Sequence, residues 1–281
     1  MNRRNILFGL LITLAGVLAL PPLTLLFIPD AVVHQAVRQA LATKGIKLQA
    51  EKITTTLPFG ISATRLTVSD AAATWVTLDH VSLQLRLLPL LSGKIAANLS
   101  ATTGAGKLTG LVTLLPRLQG NLQIKNLELS SIPLLATASG GAIDGTTQID
   151  LTLSSTTPAA VTDGTARLLV RNVRLRGVRI SNIPLPDVSF PELRGIVKIK
   201  GQTVAIDNLA LQGNGIYLRL GGTLSMAAGA PLNLTLELMP GAEFMEQQKT
   251  VFLFMLPYQV SPGHFKLPIA GTLASPQLAG R

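Results

Sequence analysis

The feature that most constrains this chain is a hydrophobic stretch close to its start. Residues 6–28 carry no charged side chain and follow closely on Arg3 and Arg4. As one helix these residues would rise about 34 Å, enough to cross the roughly 30 Å hydrocarbon core of a bilayer. Because positively charged flanks stay in the cytoplasm, the stretch predicts a transmembrane anchor that exports everything after it.

Two prolines inside this stretch leave other interpretations open. Pro21 and Pro22 tend to end a helix, because proline lacks a backbone donor. A helix that stops at Leu20 is too short to span a bilayer and suits the hydrophobic region of a cleaved signal peptide, with a cleavage site after residues 17–19. The remaining alternative is a buried helix of a soluble protein, although such helices rarely lack polar residues all round.

Composition favours an exported β-rich protein that meets acidic surfaces. The chain has 281 residues, no cysteine, 14% charged and 4% aromatic residues, and a net charge of +10. Without cysteine it has no disulfides, thiol catalysis or thiolate metal sites. Removing Arg3 and Arg4 leaves a charge of +8 (10 − 2), which favours phospholipid headgroups, lipopolysaccharide phosphates or acidic protein faces as partners. The scarcity of aromatic side chains argues against nucleic acid.

Hydrophobic periodicity divides the chain into three parts. Residues 1–29 predict a cytoplasmic tip and a transmembrane signal-anchor. Residues 30–45 predict a short amphipathic helix whose apolar side lies on the membrane surface or, alternatively, against the following sheet. Residues 46–281 predict a periplasmic β-rich domain, so that the protein is a single-pass inner-membrane protein with a cytoplasmic N-terminus.

The β-rich part predicts an elongated, coiled, largely antiparallel sheet of about 12 strands. Its apolar residues alternate with period two, and few helical segments interrupt them. The candidate strands are 47–53, 61–69, 74–87, 94–101, 107–115, 120–129, 145–153, 165–180, 195–200, 203–211, 215–226 and 232–239. The proline-rich segment 183–193 predicts a loop or sheet edge. One late short helix at 241–256 and an extended tail at 264–278 follow.

One pattern recurs within these runs, apolar-x-apolar-x-polar-apolar-x-apolar, in which the alternation slips by one residue. Its polar positions are Arg65, His80, Asn126, Asn172 and Asn208. A slip would turn the second half of a strand inside out unless one extra residue is accommodated there. The pattern therefore predicts β-bulges at these five positions, and a tight hairpin is the alternative.

A cluster of arginines is the main candidate binding site. It consists of Arg167, Arg171, Arg174, Arg176 and Arg179. Arg174 and Arg176 share one face of a predicted strand. The cluster predicts a site for acidic partner surfaces or phosphorylated headgroups; the alternative is a solvated strand face or a sheet edge protected by charge.

Catalytic and cofactor motifs are absent from the sequence. The three histidines, His34, His80 and His264, lack the spacing of helical metal ligands, and no serine sits in a Gly-x-Ser-x-Gly motif. Residues 104–107 are similar to a phosphate-binding loop, but the motif's first glycine and its serine or threonine are missing. We therefore expect a protein that is not an enzyme and that has no catalytic residue, metal or cofactor.

The chain resembles the type II secretion system protein N family almost from end to end. The resemblance rests on the basic start and single anchor and on residues 87–94, 208–213, 221–226 and 271–278. It implies an accessory component of the secretion machine, anchored in the inner membrane, whose periplasmic β domain binds other secretion components. Weaker likeness to periplasmic AsmA-like proteins implies the alternative, a lipid-binding or lipid-transfer protein with an apolar groove.

Overall fold

The computed structural model describes residues 47–56, 59–69, 73–115, 117–155, 163–180, 183–225, 227 and 229–279. Strands account for 69% of these residues. The predicted anchor at residues 6–28 and the predicted amphipathic helix at residues 30–45 lie outside them. No helix within the described part of the chain is both long and apolar enough to cross a membrane.

The described residues form seventeen strands. They are β1 Lys47–Thr56, β2 Gly60–Ser69, β3 Thr74–Arg86, β4 Ile95–Thr103, β5 Gly106–Leu115, β6 Gln119–Glu128, β7 Ala142–Ser154, β8 Asp163–Arg176, β9 Arg179–Ile180, β10 Ile183–Pro184, β11 Val188–Lys200, β12 Thr203–Gly213, β13 Ile216–Ser225, β14 Leu232–Pro240, β15 Gln259–Ser261, β16 His264–Gly271 and β17 Pro276–Leu278. The helices are α1 Leu87–Leu90, α2 Pro133–Ser139, α3 Ala242–Gln247 and α4 Lys249–Met255. Turns of 3₁₀ helix span Leu129–Ser131 and Leu256–Tyr258.

Fifteen strands form one antiparallel sheet. Their order is β1-β2-β3-β4-β5-β6-β7-β8-β11-β12-β13-β14-β16-β15, with β17 on β16, whereas β9 and β10 form a separate ribbon. Strands β1 to β7 each pair with the next strand in the sequence, and β8 pairs with β11. Antiparallel neighbours need no long crossover connection. The prediction of a mainly β, antiparallel fold with few helices is confirmed.

Two strand boundaries differ most from the predictions. The strand predicted at 165–180 ends at Arg176, because Gly177 takes a φ of 60°, a conformation that glycine adopts readily. β11 begins at Val188 and not at 195, so Pro191 lies within a strand. β12 pairs with β11 only from Leu193 onward. Pro191 therefore lies where β11 has one paired side, and a missing donor is tolerated there.

The helices also differ from the predictions. The late helix is two helices, separated at Gln248, whose side-chain amide donates a hydrogen bond of 2.8 Å to the Asp187 carbonyl. Hydrophobic periodicity predicted neither α1 nor α2. α2 begins at Pro133 and ends at Gly140, which has a φ of 59°. The chain leaves the sheet after β6 to form α2. This helix contacts β3, three strands away from β6, so the sheet coils toward it.

Two of the predicted bulge positions do not interrupt strand pairing. β2 and β3 keep one register across Arg65 and His80. On one side of the slip Thr64 pairs with His80, and on the other side Leu66 pairs with Leu78. In both strands the apolar alternation slips at the same level, so neither strand needs an extra residue. This differs from the expectation of β-bulges at Arg65 and His80. Arg65 still adopts a positive φ of 47°.

The three asparagines do lie at register shifts, as a β-bulge requires. Pairing shifts by one residue at Asn126 between β6 and β7, at Asn172 between β7 and β8, and at Asn208 between β12 and both of its neighbours. The opposing strands show no slip in their alternation at these levels, so the extra residue of each bulge has no partner across the strand pair. β8 and β11 keep one register past Asn172, because residues 188–193 of β11 carry the same slip in their apolar alternation. Asn126 and Asn172 both have a φ of 54°, which asparagine tolerates.

The conformation of Asn172 gives a stability prediction. Asn172→Ile should lower the free energy of unfolding by about 1–2 kcal/mol, because a β-branched side chain strains a left-handed residue. Asn172→Gly should stay close to the unsubstituted chain, since glycine adopts this φ freely. Equilibrium unfolding in urea measures both.

Asn208 is the matched control for this substitution. It is exposed like Asn172 and lies at a bulge, but its φ is not positive. Asn208→Ile should therefore destabilise the chain less than Asn172→Ile. Equal losses at the two positions would contradict the role assigned to the left-handed conformation.

Candidate functional site

Strand pairing sorts the side chains of the large sheet onto an apolar and a polar face. Directly paired residues lie on the same face, so one row of pairs can be followed from β2 to β17. Every member of this row is aliphatic or glycine: Ile61, Leu83, Leu99, Gly110, Leu122, Leu151, Ala166, Val197, Ile206, Gly222, Leu234, Ile269 and Leu278. The apolar face is therefore continuous across the sheet.

The neighbouring row, one residue along each strand, is polar. From β2 to β8 its members are Ser62, Ser82, Ser100, Thr109, Gln123, Asp150 and Arg167. The Gln123 amide donates a hydrogen bond of 2.8 Å to Asp150 across this face. The polar face therefore has the composition of a surface in contact with water.

The C-terminal part of the apolar face is covered and forms a core. Helices α3 and α4 and the segment 178–190 contribute to a buried cluster with residues of β8 to β16. Phe252 of α4 lies 5.4 Å from Phe265 of β16, measured between ring centroids. Leu238, Met255 and Leu267 are completely buried. This part of the chain has a conventional sealed interior.

The same face is covered less completely over β2 to β7, where the short α2 contacts β3 and β7. Ile206, Leu234 and Ile269 at the C-terminal end of the apolar row are buried, whereas Leu83 and Leu122 nearer the other end are not. Leu83 is 37% exposed. In β2 to β7 the buried side chains of this face are alanines, apart from Leu127 and Thr147, whose buried hydroxyl has no hydrogen-bond partner among the described residues. The covering helices therefore seal only part of the apolar face.

The size of the open part can be judged from sheet geometry. Six strands are about 29 Å wide, and the apolar positions extend about 20 Å along each strand, which gives about 600 Å². This is the outline of the face and includes the buried Ala63, Ala97 and Ala101. It is as large as the largest apolar patches of ordinary soluble monomers, which are often functional. We call the apolar face of β2 to β7 the open trough.

The arginine cluster lies on the polar face, away from the open trough. Arg167, Arg171 and Arg174 pair with Asp150, Thr146 and Asp144 of β7, and all five arginines are exposed. Arg179 is separate, in the β9–β10 ribbon. The structure thus brings four of the five predicted arginines onto one face.

Acidic residues partly neutralise these arginines. The Arg176 guanidinium lies 2.5 Å from an Asp144 carboxylate oxygen. In β11, Arg194 forms an ion pair with Glu192. The hydrogen bond from Arg194, with smaller contributions from the charges of Arg194 and Arg171, lowers the pKa of the Glu192 carboxyl below its usual value of 4.5. The cluster therefore has the character of a solvated face with local ion pairs, and exposed pairs of this kind stabilise little.

Side chains that could carry chemistry are dispersed. Ser62 Oγ lies 3.3 Å from His80 Nε2. Asp79 does not complete a triad, because its carboxylate accepts a 2.7 Å hydrogen bond from the Gly104 backbone at the β4–β5 turn. Among the described residues no group of histidine and acidic side chains has the arrangement of a metal site. The open trough remains the strongest candidate for a functional surface.

Comparison with known proteins adds no relative. No family model matches the chain, and no curated protein or solved structure gives a significant match. The resemblance to the type II secretion protein N family, and the weaker one to AsmA-like proteins, therefore stay predictions.

Proposed function

We propose that this protein binds lipid acyl chains in the open trough and acts as a lipid-binding or lipid-transfer protein without catalysis. The observation that carries the proposal is the change in burial along a single apolar row. Helices α3 and α4 and the proline-rich segment cover this row at β12 to β16 but leave it open from β2 to β7. A trough sealed along its whole length would have argued against lipid.

The chemistry of the trough favours an acyl chain over a protein partner. Its row from Ile61 to Leu151 contains aliphatic side chains and glycine only. The buried centres of protein interfaces are enriched in tyrosine, tryptophan, phenylalanine and arginine. An acyl chain needs continuous aliphatic surface and no hydrogen-bonding group, which is what this row provides.

Photocrosslinking tests the proposal directly. A photoreactive benzoylphenylalanine in place of Leu122, which faces the open trough, should crosslink to phospholipid when the full chain is irradiated in its own membranes. The same residue in place of Leu151 should behave in the same way. Mass spectrometry of the purified protein measures the added lipid mass.

Gln123 provides the matched control, since it follows Leu122 and lies on the polar face. Benzoylphenylalanine at Gln123 should give little or no lipid adduct. Equal lipid adducts at both positions would show passive contact with the membrane. Adducts to protein alone at Leu122 and Leu151 would contradict a lipid site.

A second candidate is an accessory role in type II secretion, acting through strand addition. It is supported by β1, which lies at the edge of the sheet that the described strands form, over its ten residues Lys47–Thr56. An edge strand offers unpaired backbone groups to an incoming strand. Lys47, Glu51 and Lys52 of β1 and the arginines of the polar face give such a partner charged side chains to meet.

Deletion of the gene separates the two candidates. The lipid proposal predicts normal export of secreted proteins together with a more permeable outer membrane. Loss of exported substrates with an intact permeability barrier would contradict it and favour the secretion role. Both quantities are measured in the same strain, with the restored gene as the control.

A further inference from the structure

The turn between β3 and β4 presents a group of exposed leucines. Leu88 and Leu91 are 78% and 66% exposed, and Leu87 and Leu90 are exposed as well. A single exposed leucine is ordinary on a protein surface, but four within five consecutive positions form a contiguous apolar patch. This patch belongs neither to the buried core nor to the open trough.

The backbone of this turn is closed on itself. The N–H groups of residues 91–94 all donate to carbonyls of residues 88–90, at 3.0–3.2 Å. The Ser92 hydroxyl also donates to the Pro89 carbonyl at 2.9 Å. An apolar solvent does not replace the hydrogen bonds of water, so a segment that enters one must satisfy its donors internally. This turn satisfies four of its backbone donors in that way.

The adjacent turn enlarges the same patch. Leu115 at the end of β5 pairs with Ile95, which directly follows the β3–β4 turn. Leu114 and Leu115 are both exposed. We call the six residues the leucine tip: Leu87, Leu88, Leu90, Leu91, Leu114 and Leu115.

Basic side chains surround the leucine tip. Arg86 and Lys94 flank the first turn, Arg117 follows the second, and all three are exposed. Residues 86–118 contain no aspartate or glutamate. Leucines surrounded by cations match a bilayer surface, where acyl chains lie beneath anionic phosphates.

We propose that the leucine tip inserts into the interface of a phospholipid bilayer, with Arg86, Lys94 and Arg117 on anionic headgroups. A protein partner fits less well, because the tip lacks aromatic side chains and its closed backbone offers no edge for strand addition. Leucines reach the upper acyl chains while the cations stay at the phosphates.

The other exposed apolar group of the described residues has a different charge environment. It lies on and after α4, with Leu253, Phe254 and Leu256 exposed. The preceding residues include two exposed acids, Glu243 and Glu246, and one exposed cation, Lys249, which is ion-paired with Glu246. The segment is therefore net acidic, and an anionic bilayer repels it. Charge therefore selects the leucine tip as the bilayer-docking surface.

The leucine tip lies at one end of the sheet, so a docked bilayer would face that end. The tip follows Arg86 at one end of the sheet, whereas Lys47, where the described chain begins, pairs with Ser69 at the opposite end. Leu85 of the apolar face lies two residues before Leu87, so the open trough ends beside the tip. Docking does not depend on the trough and stands even if the trough binds no lipid.

Fluorescence quenching tests the insertion. The chain has no cysteine, so Leu88→Cys provides a single attachment site for an environment-sensitive fluorophore. The labelled full chain is reconstituted in vesicles of phosphatidylethanolamine and phosphatidylglycerol, with and without lipids that carry a nitroxide on the acyl chain. We expect a blue-shifted emission that the nitroxide lipid quenches strongly.

Three further variants serve as controls. Thr109→Cys places the same label on the polar face of β5, where emission should be that of an aqueous probe without quenching. In the Leu88→Cys protein, Leu91→Glu should abolish the blue shift and the quenching, and the milder Leu91→Ser should reduce both. Replacing phosphatidylglycerol by phosphatidylcholine should weaken the quenching.

The proposal is overturned if the label at residue 88 reports an aqueous environment like the label at residue 109. It is also overturned if Leu91→Glu leaves the quenching unchanged, because the label would then enter the bilayer on its own. Lipid adducts at Leu122 with an aqueous tip would reject docking and keep the lipid-binding function. A quenched label at residue 88 without lipid adducts at Leu122 would reject the lipid-binding function and keep docking.

Discussion

The structure depends on unbroken antiparallel pairing across the large sheet. Each backbone donor and acceptor of an inner strand requires a neighbour, so every strand must hold its register along its length. The same pairing fixes the face of each side chain, and a slip of one residue exchanges the faces. Left-handed Asn172 and the bulge beside it keep Val173 and Leu175 on the apolar face with Val170. Without the bulge at Asn172, Val173 and Leu175 would face away from the segment 178–190, which would then lose its apolar contacts.

A second consequence is that the two halves of the sheet are held together differently. The C-terminal half has a sealed core in which Leu238, Leu267 and Met255 are completely buried. The N-terminal half shares the backbone pairing but keeps large aliphatic side chains partly exposed. A ligand that covers this surface only in the folded state stabilises the fold by mass action. An apolar ligand in the trough would therefore contribute to the stability of the half that lacks a core of its own.

Much of the fold could be predicted from period-two alternation, because side chains report directly which face is apolar. The bulges at Asn126 and Asn208 were visible as slips, yet the same slip at Arg65 and His80 leaves the register intact. Whether a slip needs an extra residue depends on the opposing strand, which the local sequence does not identify. The start of α2 was signalled by Pro133 and its end by Gly140, and this signal was missed.

The candidate site was harder to predict than the strands. The sequence indicates an apolar face but not how much of it α3 and α4 cover, because coverage depends on where distant elements pack. The arginine cluster could be found from the sequence, whereas its ion pairs with Asp144 and the placement of Arg179 in a separate ribbon depend on strand pairing. The leucine tip was seen only as a part of the family resemblance, since exposure is a property of the folded chain.

The proposed function requires that the open trough of the folded protein holds an apolar ligand. Electron paramagnetic resonance of a spin label on Leu122→Cys in the full chain tests it most directly, because apolar oxygen and a polar nickel complex broaden the signal according to the environment. We expect the label to be accessible to oxygen and protected from nickel when lipid is present, and to become exposed to nickel when lipid is removed. A label that nickel reaches equally with and without lipid would contradict the account.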